Sequence, residues 1–167
     1  MRGEQYRNMT AYMSETKKRS TIVKTLHDIL PALMYVFYPI QLVYLGVTAG
    51  FLSETFLRFT LIPLGTFIFV TLLRAIINAK RPYEVYDYEP VVHKATKGKS
   101  FPSRHTVSAF IIAMAFMYLD IRLGIAMMVV ATMIAIVRVV AGVHFVRDVI
   151  GGAVIGIVVG VLGFFVF

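Results

Sequence analysis

The chain has 167 residues, the length of one domain, and 58% of them are hydrophobic, against about 45–50% in soluble domains. Cysteine is absent, which excludes disulfides, thiolate catalysis and cysteine metal sites. The formal net charge is +8, but so apolar a chain has little room for a soluble nucleic-acid-binding domain, so we expect anionic lipid headgroups or phosphate to be the counter-ions.

Residues 1–28 form a polar N-terminal segment ahead of a membrane-embedded core, 29–167, in what we expect to be a single domain, 1–167. The segment carries six basic and three acidic residues and does not resemble a signal peptide. Its apolar residues recur at roughly helical spacing, at Tyr6, Met9, Tyr12 and Met13. This spacing predicts an amphipathic surface helix or a tail that lies on lipid headgroups, and a flexible basic tail is the alternative.

The apolar residues that follow lie in five runs, which predict an all-α membrane bundle of about five transmembrane helices. The predicted spans are 29–51, 55–79, 106–119, 123–137 and 149–167. The third and fourth runs are short, at about 21–23 Å for a rise of about 1.5 Å per residue, so we expect their polar ends to be buried within the protein. In the last span, Gly152, Gly156 and Gly160 recur every fourth residue, which predicts close helix packing.

The connections between the spans carry recognisable signals. Pro82 is expected to end the second span, because the residue before a proline resists helical geometry. A tight turn is expected at 120–122. The longest polar connection is 83–100, where the basic residues Lys94, Lys97 and Lys99 predict a loop at the membrane surface.

Five spans would place the ends of spans two and four, and the starts of spans three and five, on one face of the membrane. The polar residues of this face are Arg74, Lys80, Arg81, Ser103, Arg104, His105, Arg138, His144 and Asp148. The opposite face holds Glu54, Arg58, Asp120 and Arg122. Because charges near a bilayer need a partner or a function, this segregation predicts a cationic site with two histidines and one carboxylate.

Arg74 and Arg81 are seven residues apart, nearly two helical turns, so we expect both to project from one helix face. Guanidinium groups bind phosphate oxygens bidentately, and two of them at this spacing can hold one anionic group and its neighbour. Snorkelling of both side chains to the membrane interface is the alternative.

Ser103 precedes an apolar helical run and is the expected N-cap of that helix. Capping is compatible with phosphate binding, since a capped helix N-terminus still offers backbone N–H groups and the positive end of a dipole. His105 lies just inside this helix among cationic and polar neighbours, an environment that is not typical of a core histidine.

His144 and Asp148 are spaced i, i+4, so on a helix the carboxylate can reach the imidazole. Such a carboxylate fixes the ring tautomer and stabilises the cation that forms when the ring attacks an electrophile, and a structural ion pair is the alternative. Gly142 allows a helix break that lets Arg138 and His144 converge. Two histidines and an aspartate can also bind a metal. However, the surrounding arginines would repel a divalent cation and can supply positive charge themselves, so we expect no metal and no cofactor.

Together these motifs resemble the signature of the PAP2 superfamily, the type 2 phosphatidic acid phosphatases and their relatives. The family pattern is a basic residue, six residues and Arg-Pro; then Pro-Ser-Gly-His; then Ser-Arg, five residues, His, three residues and Asp. The corresponding residues here are Arg74, Arg81 and Pro82; Pro102, Ser103, Arg104 and His105; and Arg138, His144 and Asp148. Arg74 stands in place of the usual lysine, Arg104 in place of the usual glycine and Val137 in place of the usual serine. Of the three, Arg104 adds bulk and charge beside the phosphate and is expected to affect substrate choice.

The resemblance implies metal-independent hydrolysis of a membrane lipid phosphate or pyrophosphate through a phosphohistidine. His144 would attack phosphorus, Asp148 would orient its ring, and His105 would protonate the leaving oxygen. The residues implied to bind the phosphate are Arg74, Arg81, Ser103, Arg104 and Arg138. The implied substrates are phosphatidic acid, phosphatidylglycerophosphate and polyprenyl pyrophosphates such as the undecaprenyl carrier, and the number of cations slightly favours the last.

Two other functions stay open at this point: transfer of the phosphoryl group from His144 to a second lipid, and non-catalytic lipid binding. The expected location is a multi-pass position in a bacterial plasma membrane, with the bilayer and a lipid phosphate as partners. The side of the membrane that carries the site is also open. The basic cluster Lys17, Lys18 and Arg19 favours the cytoplasmic side, whereas many bacterial relatives place this site outside.

Overall fold

The structure is a computed structural model, and it describes residues 2–93 and 96–167. The regular structure of these residues is helical throughout, so the predicted all-α bundle is confirmed. The helices are α1 Gly3–Ser14, α2 Lys17–Ala49, α3 Glu54–Ile77, α4 Pro82–Tyr86, α5 Arg104–Leu119, α6 Ile121–Val140 and α7 Val146–Gly160, which continues into a π-helical turn, Val161–Val166.

Within the described parts of the chain, four helical stretches are long and apolar enough to cross a membrane. They contain α2, α3, α6 and α7 with its π-helical turn. The remaining predicted span, the third along the chain, is α5, whose 16 residues make a helix of only about 24 Å. A short helix is sufficient here because α3, α6 and α7 pack around α5 and bury most of its side chains. Protein rather than lipid therefore surrounds the helix that carries the central motif.

The glycine stripe of α7 packs directly against α5, as its spacing predicts. A Cβ at Gly156 would lie 2.9 Å from the carbonyl oxygen of Val107, and one at Gly160 would lie 2.5 Å from Cβ of Met114. Both distances are too short for two heavy atoms that are not bonded, so only glycine allows this approach. The close packing sets the separation between the N-terminal ends of the two helices, where the predicted site residues lie.

The N-terminal segment folds onto the bundle. Helix α1 packs against α2, α4 and α6, and the side chains of Tyr6 and Thr10 are buried. The Tyr6 hydroxyl accepts a hydrogen bond of 3.0 Å from the backbone N–H of Val146, and its ring meets the edge of Phe145 with centroids 5.6 Å apart. The helical expectation for this segment is thus confirmed, the flexible tail is not found, and the buried side of the helix faces protein.

One expected boundary is wrong, and the expected tight turn at 120–122 is shorter than predicted. Helix α3 ends at Ile77, because Asn78 adopts the left-handed conformation with φ 42°, and Pro82 is the first residue of α4 rather than the end of a helix. At the other end of the bundle, Asp120 alone connects α5 to α6. Its carboxylate accepts hydrogen bonds from the N–H groups of Arg122 and Leu123, and this cap makes a longer turn unnecessary.

Candidate active site

A cavity of about 670 Å³ opens between the end of α3, residues 93 and 96–99, the start of α5 and the turn between α6 and α7. Five of the eight predicted site residues line it: Arg74, Arg81, Arg104, His105 and His144. Lys97 and Lys99 of the predicted surface loop contribute to the same wall, and Lys94 lies outside the described residues. The chain therefore forms a strongly cationic cavity whose wall contains His105 and His144 of the predicted site and also His93.

His144 lies in the turn before α7, two positions ahead of Val146, the first residue of that helix. The expectation that His144 lies on a helix is therefore wrong. Its Nδ1 nevertheless lies 3.4 Å from Oδ2 of Asp148 in the first turn of α7. The turn begins at Gly142, whose φ of 76° suits glycine. The predicted histidine–aspartate contact is thus present, and a turn rather than a helix brings the two side chains together.

Burial sets the protonation of His144, whose residue surface is 1% exposed. Burial lowers its pKa from the ordinary value of 6.5 to about 4, and the charges of Arg81 and Arg74 lower it further, although the hydrogen bond with Asp148 opposes the change. The imidazole is therefore neutral at neutral pH. If Nδ1 carries the proton and donates it to Asp148, Nε2 holds a free lone pair.

The Asp148 carboxylate is fully buried, and its Oδ2 is held by two donors besides His144. The backbone N–H of Phe145 donates to it over 2.9 Å, and the hydroxyl of Ser100 also donates to it. Ser100 is fully buried as well. Sequence reasoning assigned no role to Ser100. In the sequence, only the position of Ser100 just before the central motif pointed to it. Its contact with Asp148 could not be seen there, because Asp148 lies 48 positions further along the chain.

Ser103 occupies the N-cap position of α5, but its side chain does not cap the helix. Its Oγ accepts a hydrogen bond of 3.0 Å from the hydroxyl of Thr106, and its N–H donates to the backbone oxygen of Asp148 over 2.9 Å. The expected capping bond is therefore absent, and the Ser103 hydroxyl bonds to the Thr106 side chain instead of a backbone N–H. Ser103 is fully buried beneath the cavity and ties the start of α5 to the start of α7.

Arg74 and Arg81 reach the cavity from different elements. Arg74 lies in the last turn of α3, whereas Arg81 lies beyond the helix end, immediately before α4. The expectation of one shared helix face is thus wrong, because Asn78 ends the helix between them. The Arg81 guanidinium donates to the carbonyl oxygens of Gly98 and Val143, each over 3.1 Å. Arg81 therefore also holds the turn that carries His144.

Arg138 lies apart from the other cations. It is 2% exposed and lines a second cavity of about 260 Å³ between α2, α5 and α6. One of its guanidinium nitrogens, Nη1, contacts Nε2 of His27, a residue that sequence reasoning did not single out. His105 lines both cavities, so it stands between Arg138 and the main group of arginines.

These helices form a membrane bundle in which a histidine backed by a buried carboxylate lines an arginine-rich cavity, an arrangement suited to binding a phosphate group. Within the described ranges, no group of three or more histidine, aspartate or glutamate side chains is arranged to hold a metal ion.

Comparison with known proteins identifies the family. The family model of the PAP2 superfamily matches residues 55–167. The crystal structure of LpxE from Aquifex aeolicus superposes with a TM-score of 0.73 at 26% identity, over 96% of this chain and 92% of LpxE. A transmembrane PAP2-type phosphatidylglycerolphosphate phosphatase from Bacillus subtilis shares the fold, with a TM-score of 0.53 at 24% identity over 96% of this chain and 90% of that protein. A search of curated proteins finds no match. The chain belongs to the PAP2 superfamily and is a PAP2-type lipid phosphatase.

Proposed function

We propose that the protein hydrolyses a membrane lipid phosphate or pyrophosphate through a covalent phosphohistidine on His144, without a metal. The observation that carries the proposal is that His144 lines an arginine-rich cavity while its Nδ1 lies 3.4 Å from Oδ2 of the buried Asp148. A neutral imidazole held by a buried carboxylate is a nucleophile with its charge compensation already in place.

In the first step, Nε2 of His144 attacks phosphorus, and the bond from phosphorus to the leaving oxygen breaks. His105 gives a proton to that oxygen, and Asp148 stabilises the positive ring by accepting the hydrogen bond from Nδ1. In the second step, His105 takes a proton from water as the water oxygen attacks phosphorus, and the bond from phosphorus to Nε2 of His144 breaks. Inorganic phosphate then leaves and His144 is restored.

Arg74, Arg81 and Arg104 supply fixed positive charge for the nonbridging oxygens. The start of α5 adds the positive end of a helix dipole, and the Ser103 side chain leaves the first backbone N–H groups uncapped. Ser103 supports the cavity wall where α5 and α7 begin. Arg138 remains a proposed phosphate ligand, which reaches the substrate from the second cavity. These arginines would repel a divalent cation, which supports a reaction without a metal.

The substrate class follows from the position of the cavity at one end of apolar helices, where a lipid headgroup can enter while its chain stays in the bilayer. We propose polyprenyl pyrophosphate, phosphatidylglycerophosphate and phosphatidic acid as candidates, with the pyrophosphate favoured by the excess of cations. Both similar structures come from bacteria, which supports a location in a bacterial plasma membrane.

The test is phosphate release from these three lipids by the protein in detergent micelles. His144→Ala should reduce release to background, and His105→Asn should reduce kcat by about 100-fold to 10,000-fold. Arg122→Gln, at the opposite end of α6, is the matched control and should behave as wild type. Unchanged release by His144→Ala would refute the proposal. Rapid acid-free quenching should also trap a phosphorylated His144 peptide that mass spectrometry detects.

A further inference from the structure

We propose that His27, oriented by Asp28, is a positioning residue that holds the Arg138 guanidinium beside His105, an inference that rests on the proposed function. None of the three motifs contains His27, and it lies on α2, outside the residues matched by the family model.

The direction of the hydrogen bonds determines the state of His27. An arginine can only donate, so Nε2 of His27 must accept from Nη1 of Arg138. The proton of the ring then lies on Nδ1, which is 2.9 Å from Oδ1 of Asp28 and donates to it. The carboxylate, the imidazole and the guanidinium thus form a chain in which a neutral His27 has one defined tautomer.

The location of this chain links it to the chemistry. His27 and Asp28 line the second cavity from α2, Arg138 lines it from α6, and His105 lines it from α5. His105 also faces the main cavity. If His105 protonates the leaving oxygen, the second cavity lies on the leaving-group side of the reaction. An arginine fixed there can bind oxygen that gains negative charge as the bond breaks.

Burial explains why Arg138 needs this partner. The residue is 2% exposed and His27 is 7% exposed, so both side chains have given up most of their hydration. A long side chain held in one geometry before the substrate arrives loses less entropy on binding. Without the acceptor on His27, Arg138 would lose both this fixed geometry and a hydrogen bond.

The experiment compares His27→Leu, which removes the acceptor, with His27→Gln, whose side-chain oxygen can accept from Arg138. Thr25→Ala, an exposed position on the same helix, is the control. The readouts are kcat and KM for the three candidate lipids, the inhibition constant of inorganic phosphate, and the unfolding temperature with and without inorganic phosphate. Removal of an outer partner of a binding group typically costs about 10-fold to 100-fold. We therefore expect His27→Leu to lose about 10-fold to 100-fold in kcat/KM. Inorganic phosphate should also inhibit this variant more weakly and raise its unfolding temperature less.

His27→Gln should keep most of the kcat/KM and phosphate binding that His27→Leu loses. Asp28→Asn should lower kcat/KM and phosphate binding in the same direction as His27→Leu. The inference is overturned if His27→Leu lowers only the unfolding temperature and leaves kinetics and phosphate inhibition unchanged, since His27 would then merely tie α2 to α6. It is also overturned if Gln is as impaired as Leu at equal stability. Failure of the wild type to release phosphate from any of the lipids would refute the proposed function instead, and the phosphate-induced shift in unfolding temperature would still judge the role of His27.

Discussion

Replacing His144 by glutamine should flatten the pH dependence of the protein's stability between about pH 6.5 and pH 4. In the folded protein, burial lowers the pKa of His144 from 6.5 to about 4. The unfolded chain therefore takes up a proton as the pH falls through 6.5, whereas the folded protein does not until about pH 4. Acid in this window thus favours the unfolded state, and the stability that His144 contributes at neutral pH is lost.

The interval between the two pKa values corresponds to about 3 kcal/mol of unfolding free energy. Little solvent screening reduces this value, because the residue is 1% exposed. Glutamine does not titrate, and its amide can still donate to Asp148. The wild type should therefore lose about 3 kcal/mol more than the variant between pH 7 and pH 4.

Chemical denaturation in mixed detergent micelles at a series of pH values measures this difference. Groups that do not contact His144 titrate alike in both proteins, and the glutamine amide keeps a donor to Asp148, so the difference between the two curves reports on His144. Parallel stability curves for the two proteins would refute the reasoning, because they would mean that His144 takes up its proton at the same pH when folded and when unfolded. A wild-type curve that rises as the pH falls would refute it as well.

Three further substitutions test other parts of the structure. Ser100→Ala removes a buried donor to the Asp148 carboxylate and should cost about 1.5–3 kcal/mol of stability, seen by denaturation, with a lower kcat in phosphate release. Gly156→Ala places a Cβ 2.9 Å from a backbone oxygen of α5 and should cost about 1–3 kcal/mol, seen by denaturation. Arg104→Gly removes one cation from the cavity and should lower kcat/KM more for a pyrophosphate than for a monoester, measured on the lipid panel.

Each of these has its own control or opposing result. Gly65→Ala is the match for Gly156→Ala, because a Cβ at Gly65 meets nothing within 4 Å, and it should be neutral or stabilise α3 by up to about 1 kcal/mol. Equal effects of the two substitutions would contradict the packing argument. Wild-type kcat and stability in Ser100→Ala would show that Asp148 does not depend on that hydroxyl. An unchanged substrate ratio in Arg104→Gly would remove Arg104 from substrate choice.

Much of the fold was predictable because it depends on local composition. Apolar runs long enough to cross a bilayer predict helices whatever their neighbours are. The resemblance to the PAP2 superfamily rested on short motifs with fixed internal spacing, and the family model confirms the family. The contact between His144 and Asp148 was predicted from their spacing of four positions, although a turn rather than the expected helix brings the two side chains together. The close packing of α7 followed from the glycine stripe alone.

Helix ends were predicted less well. The left-handed residue at Asn78 separates Arg74 from Arg81, and no spacing rule reveals such a break. The hydroxyl of Ser103 was expected to cap α5, but it accepts a hydrogen bond from Thr106. The helical propensity of the second span and the N-cap position of Ser103 were both identified correctly. The backbone conformation of Asn78 ended the helix early, and the hydroxyl of Ser103 bonded to Thr106 instead of capping α5.

The sequence by itself determined that this protein is a helical membrane bundle with the three motifs of a PAP2-type phosphatase. Tertiary structure alone decided which residues support those motifs. Ser100 meets Asp148 across 48 positions, and His27 meets Arg138 across 111. Such pairs form only when the helices pack, because the burial that makes each hydrogen bond necessary and the approach that makes it possible both come from that packing.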